Sequence, residues 1–281
     1  MENISFGSSE TTYTTEDYAL HCHNAYEVYY FQGGEVDYMV EGTKYEPAPD
    51  SILLLSPHMF HGVKVRSEQP YRRFTVHFDS YVLNIDRRRL LLSSFGTVMQ
   101  APGQKIYYEK VSRYQIPFYL DRLQEYRRIA DPEMREQMLT IGIESLLAGI
   151  LNMVQSENAI LEDPCPDNIS EIIWYLNRNL KEEITLDMIS ERFFISKHHL
   201  NKVFRKATGT TVVDYLIRKR ISMAQHLLIN GYSAQEAATE VGFDDYSAFY
   251  RSYVRVTGHS PAQDKGAAVA AEHTQNTTMT L

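Results

Sequence analysis

The sequence predicts an α+β chain of two domains: a β-barrel with trailing helices, then an all-α domain with two helix-turn-helix units. Three observations predict it. Between 5 and 86 the apolar residues fall in short runs broken by Gly and Pro, the pattern of strands and turns. Between 117 and 158 they recur at helical spacing. Between 169 and 265 one stretch is written twice, and a repeat of that length marks a duplicated supersecondary unit.

The barrel comes first, at 1–110. Strands are expected at 27–32 (EVYYFQ), 36–41 (VDYMVE), 51–56 (SILLLS), 61–66 (HGVKVR) and 71–78 (YRRFTVHF), each rich in β-branched or aromatic residues. Gly33-Gly34 and Glu41-Gly42 supply hairpin turns, and Pro47, Pro49 and Pro57 punctuate the rest. Many short strands at this spacing make a barrel or jelly roll, which offers an interior for one small molecule. The region 111–160 reads as helices at 117–129 and 132–158. In the second, Met138, Ile141, Leu146, Ala148, Leu151 and Val154 are apolar almost all round, so it must pack against the barrel, a neighbouring helix or a second subunit. The stretch 161–168, with Pro164 and Pro166, is the expected linker, and the Ala- and Thr-rich 266–281 the expected disordered tail.

In the helical domain, 169–265, ISKHHLNKVFRKATGTT (195–211) lines up with DDYSAFYRSYVRVTGHS (244–260). Leu200, Val203, Phe204, Gly209 and Thr211 match Phe249, Ser252, Tyr253, Gly258 and Ser260 at a constant offset of 49. A short helical pattern precedes each copy, at 186–193 and 234–241, giving helix-turn-helix units at 187–208 and 235–258. Ser196 and Asp244 or Asp245 are placed to cap the longer helices, Gly209 and Gly258 to end them, and Pro261 to block continuation. A helix at 170–181 opens the domain. A long one at 211–230 joins the two units, with Val213, Leu216, Ile217, Ile221, Ala224 and Leu228 on its inner face.

Two such units are most economically a reader of double-stranded DNA. The polar face of the first longer helix carries His198, Asn201, Lys202 and Arg205, with no acid between Lys197 and Lys206; the second offers Tyr246, Ser247, Tyr250, Arg251 and Arg255. Asn can bond adenine through two hydrogen bonds, Lys can reach guanine O6 and N7, and basic side chains neutralise phosphate. Against this stands the plainer reading of a solvated helix face. The formal charge of −8 argues the other way until it is divided. Residues 165–265 hold 13 Lys and Arg against 12 Asp and Glu, whereas 1–164 hold 15 against 23. The acidity belongs to the barrel half.

The motif S-x-x-x-L-x-x-x-F-[RK]-[RK]-x-x-G at 196–209, with A-x-x-V-G-F-x-D-x-S-x-F-x-R at 238–251 and G-x-S-P at 258–261, resembles the AraC/XylS family of transcription regulators. The resemblance implies a DNA-binding domain in which His198, Asn201 and Lys202 face one major groove and Tyr246, Ser247, Tyr250 and Arg251 the next. It further implies a small-molecule effector in a cupin-like barrel, a homodimer formed through 111–160, and activation as the commoner mode. Ser190 stands where the family usually has Ala, and needs a hydrogen-bond partner if buried; Val254 replaces a common basic residue.

In the barrel, His21, His23 and Glu27 form H-x-H-x3-E, followed later by His58 and His61. This order resembles the metal set of catalytic cupins. Three roles stay open for His21, His23, Glu27 and His61: contact with an effector, metal ligation, or structural hydrogen bonding, with a metal not the favoured one. His77 has no evident partner set. Tyr26, Tyr29, Tyr30, Tyr38 and Tyr45 would give the interior a lining suited to a sugar. Hence His21, His23, Glu27, Tyr38 and His61 are the effector candidates, and no cofactor is expected. A metal-dependent cupin enzyme with an appended helical domain is the competing class. Beyond the barrel there is no phosphate loop, no CxxC and no nucleophile with an evident base, so the chain reads as no enzyme. With only Cys22 and Cys165, no signal peptide and no apolar run judged long enough for a bilayer, it reads as a soluble cytoplasmic protein without a disulfide framework.

Overall fold

A computed structural model describes residues 4–16, 18, 20–95, 105–157 and 168–264. It divides into two compact units, the first running to Pro166 and the second from Asp167, with Cys22–Asn24 grouped with the second. Of the expected linker, 161–167 lies outside the described residues, as does the whole of the expected tail at 266–281.

The first unit holds strands β1 (Ile4–Thr11), β2 (Tyr26–Gly33), β3 (Val36–Val40), β4 (Thr43–Tyr45), β5 (Ser51–Leu55), β6 (His61–Val65), β7 (Tyr71–Phe78) and β8 (Tyr107–Glu109). They form a five-stranded sheet in the order β1-β7-β2-β5-β8 and a three-stranded sheet β4-β3-β6, with every pairing antiparallel. Strands β2 and β5 of the larger sheet are buried on both faces. Tyr29, Phe31, Leu53, Leu55 and Tyr71 pack inward on Val36, Tyr38, Val40 and Val65 of the smaller sheet. Their neighbours Val28, Ile52, Leu54, Phe74, Val76 and Phe78 point the other way. Period-two alternation therefore feeds two cores from one sheet.

The outer core is completed by helices α1 (Ile85–Leu91), α2 (Ile116–Tyr126) and α3 (Pro132–Glu157). Helix α3 corrects an expectation: by length and composition it could cross a bilayer. Its apolar content is explained by packing, since Ile143, Leu146, Leu147, Ile150 and Met153 are fully buried in the core under the sheet. Two glycines one heptad apart let α2 approach it. A Cβ on Gly142 would meet Leu123 Cδ2 at 2.7 Å, and one on Gly149 would meet the Tyr119 ring at 2.6 Å.

The second unit is helical: α4 (Asn168–Arg178), α5 (Leu186–Arg192), α6 (Lys197–Thr208), α7 (Val212–Ile229), α8 (Ala234–Glu240) and α9 (Tyr246–Thr257). Each start from α5 onward is capped, by Thr185, Ser196, Thr211, Ser233 and Asp245, whose side chains accept from backbone N–H groups one turn in. Gly209 and Gly258 take the left-handed conformation where α6 and α9 end. The inner face of α7 is shifted from that expected. Val213 is exposed, while Val212, Tyr215 and even Lys219 are buried, the Lys219 ammonium lying 5.7 Å from the Tyr215 ring centroid. Ser190 finds the partner it needs, donating to the Ile195 carbonyl at 2.5 Å.

Because Gly142 leaves no room for a side chain, Gly142→Val should cost about 1–3 kcal/mol through overpacking. Urea unfolding should show a lower midpoint at unchanged slope. Ser145→Val, on the exposed face of the same helix, should stay within about 0.5 kcal/mol of the parent.

Candidate nucleic-acid interface and barrel site

In the first helix-turn-helix the turn passes through Phe194, at φ +52°, with its ring 97% exposed. Gly242 occupies the same step of the second, at φ +83°. A Cβ there would meet the Lys181 and Leu180 carbonyl oxygens at 2.7 and 2.8 Å. The two turns thus make one left-handed step, but only the second is backed by main chain. That is why a phenylalanine is tolerated in one and a glycine is required in the other.

Beyond each turn the longer helix sorts its residues cleanly. Leu200, Phe204 and Thr208 anchor α6, and Phe249 and Tyr253 anchor α9. His198, Lys202 and Arg205 are exposed on α6; Tyr246, Ser247, Tyr250, Arg251 and Arg255 are exposed on α9. Asn201 is the exception, half-buried with its Oδ1 enclosed and without a hydrogen-bond partner. Arg255 is also less free than its sequence position implied, because its guanidinium reaches back 3.4 Å to Asp214 of α7. Arg251 lies 4.0 Å from Asp245, both well exposed, a contact worth little in water.

Asp214 is the hub of this face. It accepts from Arg218 Nε at 2.7 Å and from Thr210 Oγ1 at 2.9 Å. Burial alone would raise its carboxyl. The hydrogen bonds from Arg218 and Thr210, with the charges of Arg218 and Arg255, outweigh that and hold it below the usual aspartate range.

The barrel candidates meet in part. Glu27 on β2 stands directly opposite His77 on β7 in the strand register, and Glu27 Oε2 lies 3.2 Å from His77 Nε2. From the facing sheet, His61 Nε2 reaches the same oxygen at 3.1 Å, while its Nδ1 lies 2.8 Å from the Met59 carbonyl. Glu27 and His61 are only 3% and 1% exposed. Tyr38 is buried below, its ring parallel to His61 at 6.3 Å and 4.5 Å from Tyr29. Burial, then the charge of Glu27, pushes its phenol well above the usual range, so it stays protonated.

Three expectations are corrected here. His21 and His23 do not share a strand: His21 is exposed in an isolated bridge to His61, and His23 is half-buried in the stretch grouped with the second unit. Tyr26 and Tyr30 pack on the outer core, leaving Tyr29, Tyr38 and Tyr45 with the inner one. His77, passed over in the sequence, is the neighbour of Glu27. Its inward alternation with Val76 and Phe78 was the available signal, but the register that sets it against Glu27 was not. A separate cleft of about 360 Å³ lies outside the barrel, lined by Arg113, Tyr114, Gln115, Tyr119 and Asn152 among others.

The comparisons with known proteins follow this division. The AraC-like ligand binding domain matches residues 4–105, and a helix-turn-helix domain matches 189–266. The chain belongs to the AraC family. Residues 4–105 match that family's ligand-binding domain, and the C-terminal unit carries its helix-turn-helix domain. The transcriptional activator RhaR of Escherichia coli K12 is 32% identical over 124 residues, 42% of this chain and 44% of RhaR. The uncharacterised regulator YdiP, from the same strain, is 32% identical over 95 residues, 34% of this chain and 31% of YdiP. The chain therefore spans less than half the length of these curated relatives. Among solved structures, the DNA-binding domain of AdpA in complex with a target DNA is 30% identical over 38% of this chain and 96% of its own, with a TM-score of 0.36. ToxT from Vibrio cholerae O395 covers 94% of this chain and 97% of its own at 13% identity, with a TM-score of 0.38.

A carboxyl held low in the folded state adds stability above its unfolded pKa, and that stability is lost as pH falls through the folded value. Asp214→Asn should therefore lower the urea midpoint of the helical domain more at pH 7 than at pH 3. An equal difference at the two pH values would remove the ion pairs as the cause.

Proposed function

We propose that this AraC-family regulator is a transcriptional activator that binds DNA through α6 and α9 in two successive major grooves, as a homodimer, under control of a small molecule in the barrel. The observation that carries the reading is the duplicated helix with a buried apolar anchor and an exposed polar face on each copy. His198, Lys202 and Arg205 serve one groove; Tyr246, Ser247, Tyr250 and Arg251 serve the next. Recognition helices one turn of DNA apart, about 34 Å, suit one face of the duplex. Asn201 joins them by turning its amide outward, which relieves the enclosed Oδ1. Arg255 contributes to phosphate only by leaving Asp214.

The homodimer is supported by apolar side chains left in water on the barrel's helices, Phe118 on α2 and Met134 and Ile141 on α3. Activation is supported by the relative RhaR, an activator by name. His21, His23, Glu27, Tyr38 and His61 remain the effector candidates, now joined by His77. The lead toward a sugar loses ground, since Tyr29 and Tyr38 pack on each other.

Selection of random duplexes on the full-length protein tests the DNA reading. One enriched motif spanning two adjacent major grooves is expected, and no enrichment even at low salt would sink it. On the selected duplex, Lys202→Ala should cost about 1–3 kcal/mol and relax preference at one base pair. Uniform weakening with a shallower salt dependence would make Lys202 a phosphate contact instead.

A further inference from the structure

From the differences between the two copies of the duplicated helix we infer that α9 selects thymine, its Tyr246 and Tyr250 rings packing on C5-methyl groups in the major groove. The inference rests on the DNA reading above and names the base chemistry that one of its two helices takes. At the offset of 49, Lys197, His198, Asn201 and Lys202 of α6 stand where α9 has Tyr246, Ser247, Tyr250 and Arg251. At the first and third of these steps α6 carries an ammonium and an amide, and α9 a phenol ring. The two rings lie one turn apart, on one side of the helix. Arg205 of α6 likewise gives way to Val254. The second helix has exchanged polar groups for apolar surface along the N-terminal stretch that meets base edges in a helix-turn-helix.

Packing within the domain does not account for these rings. The core face of α9 is filled by Phe249 and Tyr253, both fully buried. Tyr246 and Tyr250 stay 37% and 43% exposed, which leaves apolar surface in water. They are nonetheless braced. Their ring centroids lie 6.4 Å apart at 44°, and Tyr246 leans on Phe249 at 5.8 Å. A ring with two torsions and a buried neighbour loses little freedom when it binds. Single exposed rings are ordinary; two on one side, at the steps that face a groove, are placed for an apolar partner. The apolar group that base edges present in the major groove is the thymine methyl. Ser247 and Arg251 follow on the next strip of the helix and keep hydrogen-bonding readout beside the rings.

The test uses full-length protein and the duplex it selects. Each thymine is replaced in turn by uracil, which keeps every hydrogen-bonding group and removes the methyl. At one or two positions within a single major groove, uracil should weaken binding about four-fold, the worth of one buried CH₂-sized group. Tyr250→Ala or Tyr246→Ala should weaken binding of the parent duplex and abolish the uracil effect at one such position, because both changes remove one contact. Tyr250→Phe should keep the preference for thymine, and none of these variants should alter the salt dependence. Both side chains stand outside the core, so truncation leaves the fold intact. A selected motif without thymine, or uracil duplexes bound as tightly as the parent, overturns the thymine reading and keeps the DNA-binding one. Uracil sensitivity unchanged in both Ala variants gives the methyl to another side chain and overturns the role of the rings. Equal loss in Tyr250→Phe and Tyr250→Ala, without uracil sensitivity, makes the hydroxyl a phosphate contact and also overturns it. If no duplex is enriched, the DNA reading and the thymine reading fall together.

Discussion

The two-sided burial of strands β2 and β5 is the constraint on which the barrel unit depends. A strand covered on both faces must satisfy two cores at once, so its side chains cannot slip by one residue without exchanging them. In β2 this sends Val28 and Tyr30 toward the helices and Glu27, Tyr29 and Phe31 toward the smaller sheet. Glu27 is thereby turned inward at the end of the strand, where His77 of β7 and His61 of β6 meet its carboxylate. The polar cluster at the barrel's end follows from the apolar packing of its middle.

The helical unit works by a different economy. Its two helix-turn-helix motifs share one plan, yet they differ where the plan touches neighbours. Gly242 is pressed on main chain and admits no side chain, whereas the matching Phe194 stands in solvent. An apolar ring that packs on nothing in its own domain contributes no burial energy and retains the left-handed backbone cost, about 1–2 kcal/mol. Its stability must come from the caps and anchors on either side, chiefly Thr185, Ser196 and Leu200.

How much of this was legible in the sequence depended on the range of the interaction. Strands β2, β3, β5, β6 and β7 showed themselves through β-branched and aromatic runs, and the helices of the second unit through spacing, caps and terminal glycines. Strand β1 carries Gly7, Ser8 and Ser9 at the sheet edge, and β8 has three residues, so neither had a pattern to read. The duplicated motif made His198, Lys202, Tyr250 and Arg251 visible as exposed residues. Nothing local revealed that Asn201 Oδ1 is enclosed or that Arg255 is held by Asp214. The same limit hid His77: its residue type was plain, but its partner is set by pairing across about fifty residues of chain. Lys219 misled in the opposite sense, since a polar letter at a core position reads as surface although its stem packs like an aliphatic chain.

The hold of Asp214 on Arg218 and Arg255 bears on how this protein would bind DNA. The helical unit carries almost as many acids as bases, and one of those acids, Asp214, occupies the guanidiniums of Arg218 and Arg255. Counterion release scales with the number of phosphates neutralised. If the helical unit reads DNA as proposed, cations partly engaged at home give it weak non-specific affinity and a shallow salt dependence. Its discrimination must come from base edges and from having two helices, or two subunits, engaged together. Weak attraction to any DNA, joined to tandem reading of one site, leaves occupancy close to a threshold. A few kcal/mol supplied or withdrawn by the barrel could then decide it.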